Sequence, residues 1–197
     1  MKKTIIFDFD GVIADTLELA FEIAKINYPS LTLDSYKDKW KIRFSEVVFT
    51  EPKVGVKVDF DKEYAEKIKS LKLDSQKKEV IKNLSKDFNL HIISGNNSDT
   101  IRNFCILNDI NHFIEIMGND VDVSKVNKFN TLFKKHNLNS KELIFVTDTA
   151  GDISEAKEVG IGTIVAITSG FQDIDTLKES EPTHLIDSIL DLEKVVL

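Results

Sequence analysis

The feature that most narrows the fold of this chain is a rhythm. Short apolar runs, each closed by a glycine or a polar residue, alternate with stretches of helical periodicity. Leu90-His91-Ile92-Ile93 ends in Ser94-Gly95-Asn96, and Phe113-Ile114-Glu115-Ile116-Met117 in Gly118-Asn119. Leu143-Ile144-Phe145-Val146-Thr147 ends in Asp148, Gly162 to Ile167 gives a further run, and Thr183-His184-Leu185-Ile186 a weak last one. Apolar runs of this length between turn signals read as buried strands. Strands alternating with helices imply an α/β fold, a doubly wound parallel sheet with right-handed crossovers.

The helices between these strands have readable ends. Asp74-Ser75 caps a helix with Val80, Ile81, Leu84 and Phe88. Ser124 caps one with Val126, Phe129, Leu132 and Phe133, and a short helix from Ile153 to Val159 stops at Gly160. Asn96 is open between a contact with a bound substrate and the cap of the helix that follows it, the cap being the simpler reading.

The earliest strand has the most to say about chemistry. Ile5-Ile6-Phe7-Asp8-Phe9-Asp10-Gly11 is an apolar run whose far end carries two acids before a glycine turn. Side chains alternate along a strand, so Asp8 and Asp10 lean to one side and Phe9 to the other. In open α/β sheets, ligands bind beyond the carboxyl ends of the strands. Two carboxylates about 4 Å apart repel by roughly 4 kcal/mol at an effective dielectric near 20. Such a pair needs a cation or a shared proton. Asp15, three residues before Glu18, reads as the N-cap of a helix carrying Leu17, Ala20, Phe21, Ile23 and Ala24, which Tyr28-Pro29 ends.

The region from Ser30 to Leu73 differs. Tyr36, Trp40, Phe44 and Val47 or Val48 recur at helical spacing, Glu51-Pro52 breaks that helix, and Gly55 marks a loop. Phe60, Tyr64, Ile68 and Leu71 make a second stripe. Residues 1–15 and 74–197 are therefore expected to form the α/β core, and residues 16–73 a helical cap inserted after the first strand.

The string DFDGVIADT, Asp8 to Thr16, resembles the first motif of the haloacid dehalogenase-like superfamily, DxDGxxxDT. Most members are magnesium-dependent phosphatases. Ser94, Lys125 and the Asp148/Asp152 pair match the later motifs in chain order, although Thr147 stands where the family often has glycine. The resemblance implies that Asp8 is the nucleophile and Asp10 the general acid and base. Ser94, Gly95 and Lys125 would hold the phosphate, with Lys128 one helical turn on as the competing cation. Asp8, the Asp10 carbonyl and Asp148 would hold Mg²⁺. Asp152 is open between an N-cap, a ligand and a residue that steadies the ligands; Thr16 fits the motif without a role that the sequence supplies. A sugar-phosphate mutase of the same superfamily and a non-catalytic phosphate-binding or regulatory module stand as alternatives.

Composition bounds the partners. A net charge of -7 argues against nucleic acid. No apolar stretch is long enough to span a membrane, and two aspartates interrupt the run after Met1-Lys2-Lys3, so a signal peptide is not expected. The single cysteine, Cys105, fits a reducing compartment. The expected setting is cytoplasmic, with a small phosphorylated metabolite as substrate. Of the two arginines, Arg43 and Arg102, Arg43 is the candidate for substrate specificity, beside Phe44 on the expected helix.

Overall fold

The computed structural model describes residues 2–49 and 58–197. The expected turn at Glu51-Pro52 and the loop at Gly55 lie outside them. Six parallel strands form one sheet: β1 (Lys3–Phe7), β2 (Phe88–Ile93), β3 (Phe113–Met117), β4 (Leu143–Thr147), β5 (Thr163–Ile167) and β6 (His184–Ile186), in the order β3-β2-β1-β4-β5-β6. β1 is central, with Ile5 opposite Leu90 on one side and Ile144 on the other. The strand order turns back beside it, where doubly wound sheets open a crevice.

Both faces of the sheet are covered, so the strands are apolar nearly throughout. Ile5 and Phe7 of β1 join one buried cluster and Ile6 the other, following the two-residue period. The second cluster is completed by α6 (Lys125–His136) and α7 (Ala150–Glu158), through Phe129, Leu132, Ile153 and Ala156. The first holds α4 (Ser75–Asp87) and α5 (Ser98–Leu107), through Ile81, Leu84, Ile101 and Phe104. It also takes in α1 (Leu17–Asn27), α2 (Leu33–Asp38) and α3 (Phe60–Lys67), through Ile23, Tyr36 and Tyr64. The helices between β1 and α4 thus pack onto the same buried cluster as one face of the sheet. α8 (Ile174–Glu179) and α9 (Glu193–Val196) complete the chain.

Three local expectations are corrected. Asp15 does not cap α1. Thr16 occupies the cap position, and Asp15 instead pairs with Lys77 of α4 at 2.8 Å. Trp40 and Phe44 do not continue one helix from Tyr36. The chain passes through 3₁₀ turns at Lys39–Lys41 and Phe44–Glu46, with extended backbone at Ile42 and Arg43 between them. The Ile42 carbonyl presses on Gly151 of α7, where an added Cβ would lie 2.1 Å from it. Packing against α7 at that point sets the path of the chain, and the helical spacing of the aromatics survives as a shared wall. Asn96 is not a cap either; Asn97 caps α5, accepting from the N–H groups of Asp99 and Thr100.

Candidate active site

The residues singled out at the strand ends meet over the carboxyl edge of β1, β2 and β4. Asp8, Asp10, Gly95, Lys125, Asp148 and Asp152 all line one cavity of about 400 Å³. The backbone N–H of Asp8 continues the sheet by donating to the Val146 carbonyl at 2.8 Å. Gly11 then turns the chain with φ of +70°, a conformation that costs a side-chain-bearing residue strain. A Cβ at Gly11 would stand 1.9 Å from Oδ2 of Asp148, so the absence of a side chain is what lets the ends of β1 and β4 close together.

Lys125 is the cation at the centre. Its ammonium lies 2.9 Å from Oδ1 of Asp8 and 2.5 Å from Oδ2 of Asp152. Burial opposes its charge, but Asp152 and Asp8 outweigh that and hold it protonated well above the ordinary lysine range. Burial likewise opposes ionisation of Asp152, yet Lys125 keeps that carboxyl below its usual value. Thr147 donates to the same Asp152 oxygen at 2.8 Å. The residue that departs from the family pattern therefore braces the lysine's anchor. Asp152 sits in the first turn of α7; Thr149 is the cap and accepts from its N–H, so the N-cap reading of Asp152 is corrected.

Burial is the dominant influence on the other acids. It raises Asp8 well above the normal carboxyl range despite Lys125, and it raises Asp10 despite the donors around it. Those donors were largely invisible in the sequence. Thr16 Oγ1 donates to Asp10 Oδ1 at 2.6 Å, the Tyr64 phenol donates to the same oxygen, and Asn96 Nδ2 donates to Oδ2 at 2.5 Å. Thr16 thus has a role, and Asn96 and Tyr64 join the site. A hydroxyl six residues on from an acid carries no signal by itself, and the Tyr64 and Asn96 bonds arise only when distant segments converge.

Asp148 accepts from the Phe171 N–H at 2.7 Å through Oδ2, while its Oδ1 is buried with no hydrogen-bond partner among the described residues. A buried carboxylate oxygen left in that condition is costly unless something positive approaches it. Asp8 and Asp10 line the same cavity, and with the main-chain carbonyl that the family resemblance assigns to Asp10 they would make the all-oxygen set a hard divalent cation prefers. Among the described residues no three His, Cys, Asp or Glu side chains gather as a ligand cluster, so such an ion would rest on two side chains plus the carbonyl. Within those terms the residues fit Mg²⁺.

The hydroxyl of Ser94 accepts from the Asn96 N–H at 3.1 Å, and Ser94 is fully buried behind Gly95, which does line the cavity. Lys128 is wholly buried and donates to the Ser94 carbonyl at 2.6 Å; burial first, and then Lys125, lower it to about 8. It holds the Ser94 turn from below, leaving Lys125 as the cation that faces the acids. Glu155 accepts from the N–H groups of Lys125 and Val126 at 2.9 and 3.4 Å. A carboxylate there complements the positive end of α6 and fixes the start of the helix that aims Lys125. Arg43 is turned to Glu158 at 2.5 Å; the cavity lining runs through its neighbours Ile42 and Phe44 instead.

Among the described residues, no helix is long and apolar enough to cross a membrane. A family model described as haloacid dehalogenase-like hydrolase matches residues 5–166. A curated phosphoglycolate phosphatase of Vibrio vulnificus is 30% identical over 89 residues, 44% of this chain and 39% of that protein. The chain thus aligns with about two fifths of the length of the curated relatives it matches. The fold is similar to that of a haloacid dehalogenase-like family hydrolase from Streptococcus pneumoniae. The two share 21% identity, cover 100% and 99% of the respective chains, and superpose with a TM-score of 0.80. CbbY of Rhodobacter sphaeroides, solved in complex with phosphate, gives 0.78 at 13% identity, over 98% of this chain and 96% of that one. With the motif following directly on β1, a parallel sheet in this order and a family match across most of its length, the chain belongs to the haloacid dehalogenase-like hydrolase family.

Proposed function

We propose that this protein is a Mg²⁺-dependent phosphatase that cleaves a small phosphomonoester through an aspartyl-phosphate. One arrangement supports the reading above all: Asp8, 2.9 Å from a buried ammonium, shares a cavity with Asp148, whose Oδ1 has no hydrogen-bond partner among the described residues. Asp8 attacks phosphorus as the carboxylate, the form that Lys125 favours against burial; an Oδ–P bond forms and the ester P–O bond breaks. Asp10, whose buried carboxyl favours holding a proton, gives it to the leaving alkoxide. It then takes a proton from water, which attacks the phosphorus of the aspartyl-phosphate, releasing phosphate and restoring Asp8. Lys125 offsets the charge on the phosphoryl oxygens, while the Gly95 N–H and the Ser94 hydroxyl, once turned from Asn96, bind one of them. Asp8, the Asp10 carbonyl and Asp148 would hold Mg²⁺, which when bound neutralises charge on the transferred group. Asp152 is assigned to anchoring Lys125.

Residues 16–73 are read as a cap that closes over the site and contacts the leaving group. The likeness to a phosphoglycolate phosphatase supports a small phosphorylated substrate, and the buried Cys105, with its thiol pushed up to about 12 by burial, is consistent with a reducing, cytoplasmic setting. The test is phosphate release from a panel of phosphomonoesters with Mg²⁺ and with chelator. Activity is expected to require the metal and to vanish in Asp8→Asn; full turnover by that variant would remove Asp8 from the mechanism.

A further inference from the structure

The part of the cavity away from the acids has a different character. Tyr36, Trp40, Phe44, Phe49, Phe60 and Phe171 line it. Several of them touch one another as a continuous wall. Tyr36 and Trp40 meet edge to face with centroids 5.5 Å apart, Trp40 and Phe171 at 6.3 Å, Tyr36 and Phe171 at 6.4 Å, and Trp40 and Phe44 lie in parallel planes at 6.0 Å. The wall reaches the chemistry at both ends. The Phe44 ring lies 3.1 Å from where a Cβ would sit on Gly95, and the Phe171 N–H holds Asp148. A leaving group bound beyond Asp8 therefore meets aromatic rings.

Charge narrows the occupant further. Among the described residues Lys125 is the one basic side chain lining the cavity, and it is already shared by Asp8 and Asp152. Asp61, on α3, adds another carboxyl to the lining. A second anionic group on the substrate, such as a carboxylate or another phosphate, would be desolvated beside acids, and the Lys39 ammonium near the aromatic end is engaged by the Val48 carbonyl at 3.2 Å and the Phe49 ring at 4.7 Å. A flat uncharged ring gains apolar burial and edge or face contacts there. A cavity near 400 Å³ holds a body of one or two rings together with its phosphate.

We propose that the substrate is the phosphomonoester of an uncharged alcohol bearing an aromatic ring, with that ring seated against Tyr36, Trp40, Phe44 and Phe171. The inference rests on the phosphatase reading, and its test separates the two. Trp40 is the sole tryptophan of the chain, so its fluorescence reports occupancy of the wall without turnover. Non-hydrolysable probes are titrated into the Mg²⁺-loaded protein: 2-phenylethylphosphonate, ethylphosphonate and phosphonoacetate. The aromatic probe is expected to bind at least about tenfold more tightly than either of the others and to shift the emission. In parallel, kcat/KM is measured for 2-phenylethyl phosphate, ethyl phosphate and phosphoglycolate, all esters of primary alcohols. The aromatic preference should again be about tenfold or more, carried mainly by KM, and should fall at least about fivefold in Phe44→Ala and, independently, in Phe171→Leu. Phosphonoacetate binding as tightly as the aromatic probe, or absence of any discrimination, overturns the proposal. Selective binding of the aromatic probe with no phosphate released from any ester upholds the aromatic pocket and overturns the phosphatase reading alone.

Discussion

Tyr64 donates its phenolic hydrogen to Oδ1 of Asp10, across 54 residues of sequence. The bond ties α3, in the helical segment after β1, directly to the acid proposed to move protons. Asp10 keeps Thr16 and Asn96 when the phenol is removed. Tyr64→Phe is therefore expected to leave the fold intact, costing about 1–2 kcal/mol, while slowing turnover roughly tenfold through a less firmly held Asp10. Saturating kinetics beside a denaturant titration check this; an unchanged kcat would disconnect the phenol from the reaction.

Lys125 shares its charge between two buried carboxylates, and among the described residues neither pairs with another ammonium. Lys128 is occupied by the Ser94 carbonyl. Lys125→Met should destabilise the protein by about 3–5 kcal/mol, because it strands Asp8 and Asp152 rather than merely removing attraction. Asp152→Asn should cost less stability and lower activity by leaving the ammonium on one side only. Urea midpoints that rank the two variants in the opposite order would refute this division of roles.

Gly11 is a position where shape alone decides. Its φ of +70° disfavours any side chain, and Asp148 occupies the space one would take. Gly11→Ala is expected to lose more than about 2 kcal/mol and nearly all phosphate release, since relief of the clash must displace Asp148. Thermal melts and assays on the same preparation test it.

His91 offers a pH test away from the acids of the site. It is buried on β2, its ring edge to face with His136 at 5.0 Å, with Glu115 nearby. Burial first, then His136, lower it to about 4, while Glu115 pulls the other way. A folded-state value below the unfolded one means the unfolded chain binds the proton first. The contribution is thus fully present above about pH 6.5 and is lost as pH falls towards 4, on the order of 2–3 kcal/mol in all. His91→Phe should flatten the acid side of a stability–pH curve by that amount. Parallel curves for the two proteins would show that folding leaves the titration of His91 unshifted.

The strands were legible because a buried parallel strand needs an unbroken apolar run, and Leu90–Ile93 and Leu143–Thr147 have little else they can do. The acids were legible because they follow those runs directly. The residues around the acids were not. Thr16, Tyr64 and Asn96 reach Asp10 from separate elements, and no local pattern marks a hydroxyl that will become a donor to a carboxylate. The path from Lys39 to Glu46 was misread for a related reason: helical spacing of Tyr36, Trp40 and Phe44 reports a common apolar surface, and 3₁₀ turns can present one as well as an α-helix. Arg43 is a different case, a rare residue type given weight by rarity, whose guanidinium meets Glu158 while its neighbours Ile42 and Phe44 line the cavity.

The central place of β1 carries a cost in time. The strand that leads into Asp8 leaves the ribosome before either neighbour exists, since β2 and β4 pair with it from far along the chain. Until β4 is made, one flank of β1 stays an open edge and Asp148 has not arrived. Nascent chains halted between β3 and β4 should therefore be sticky and inert, and full-length protein should depend on holdase chaperones during synthesis far more than during later refolding from dilute denaturant.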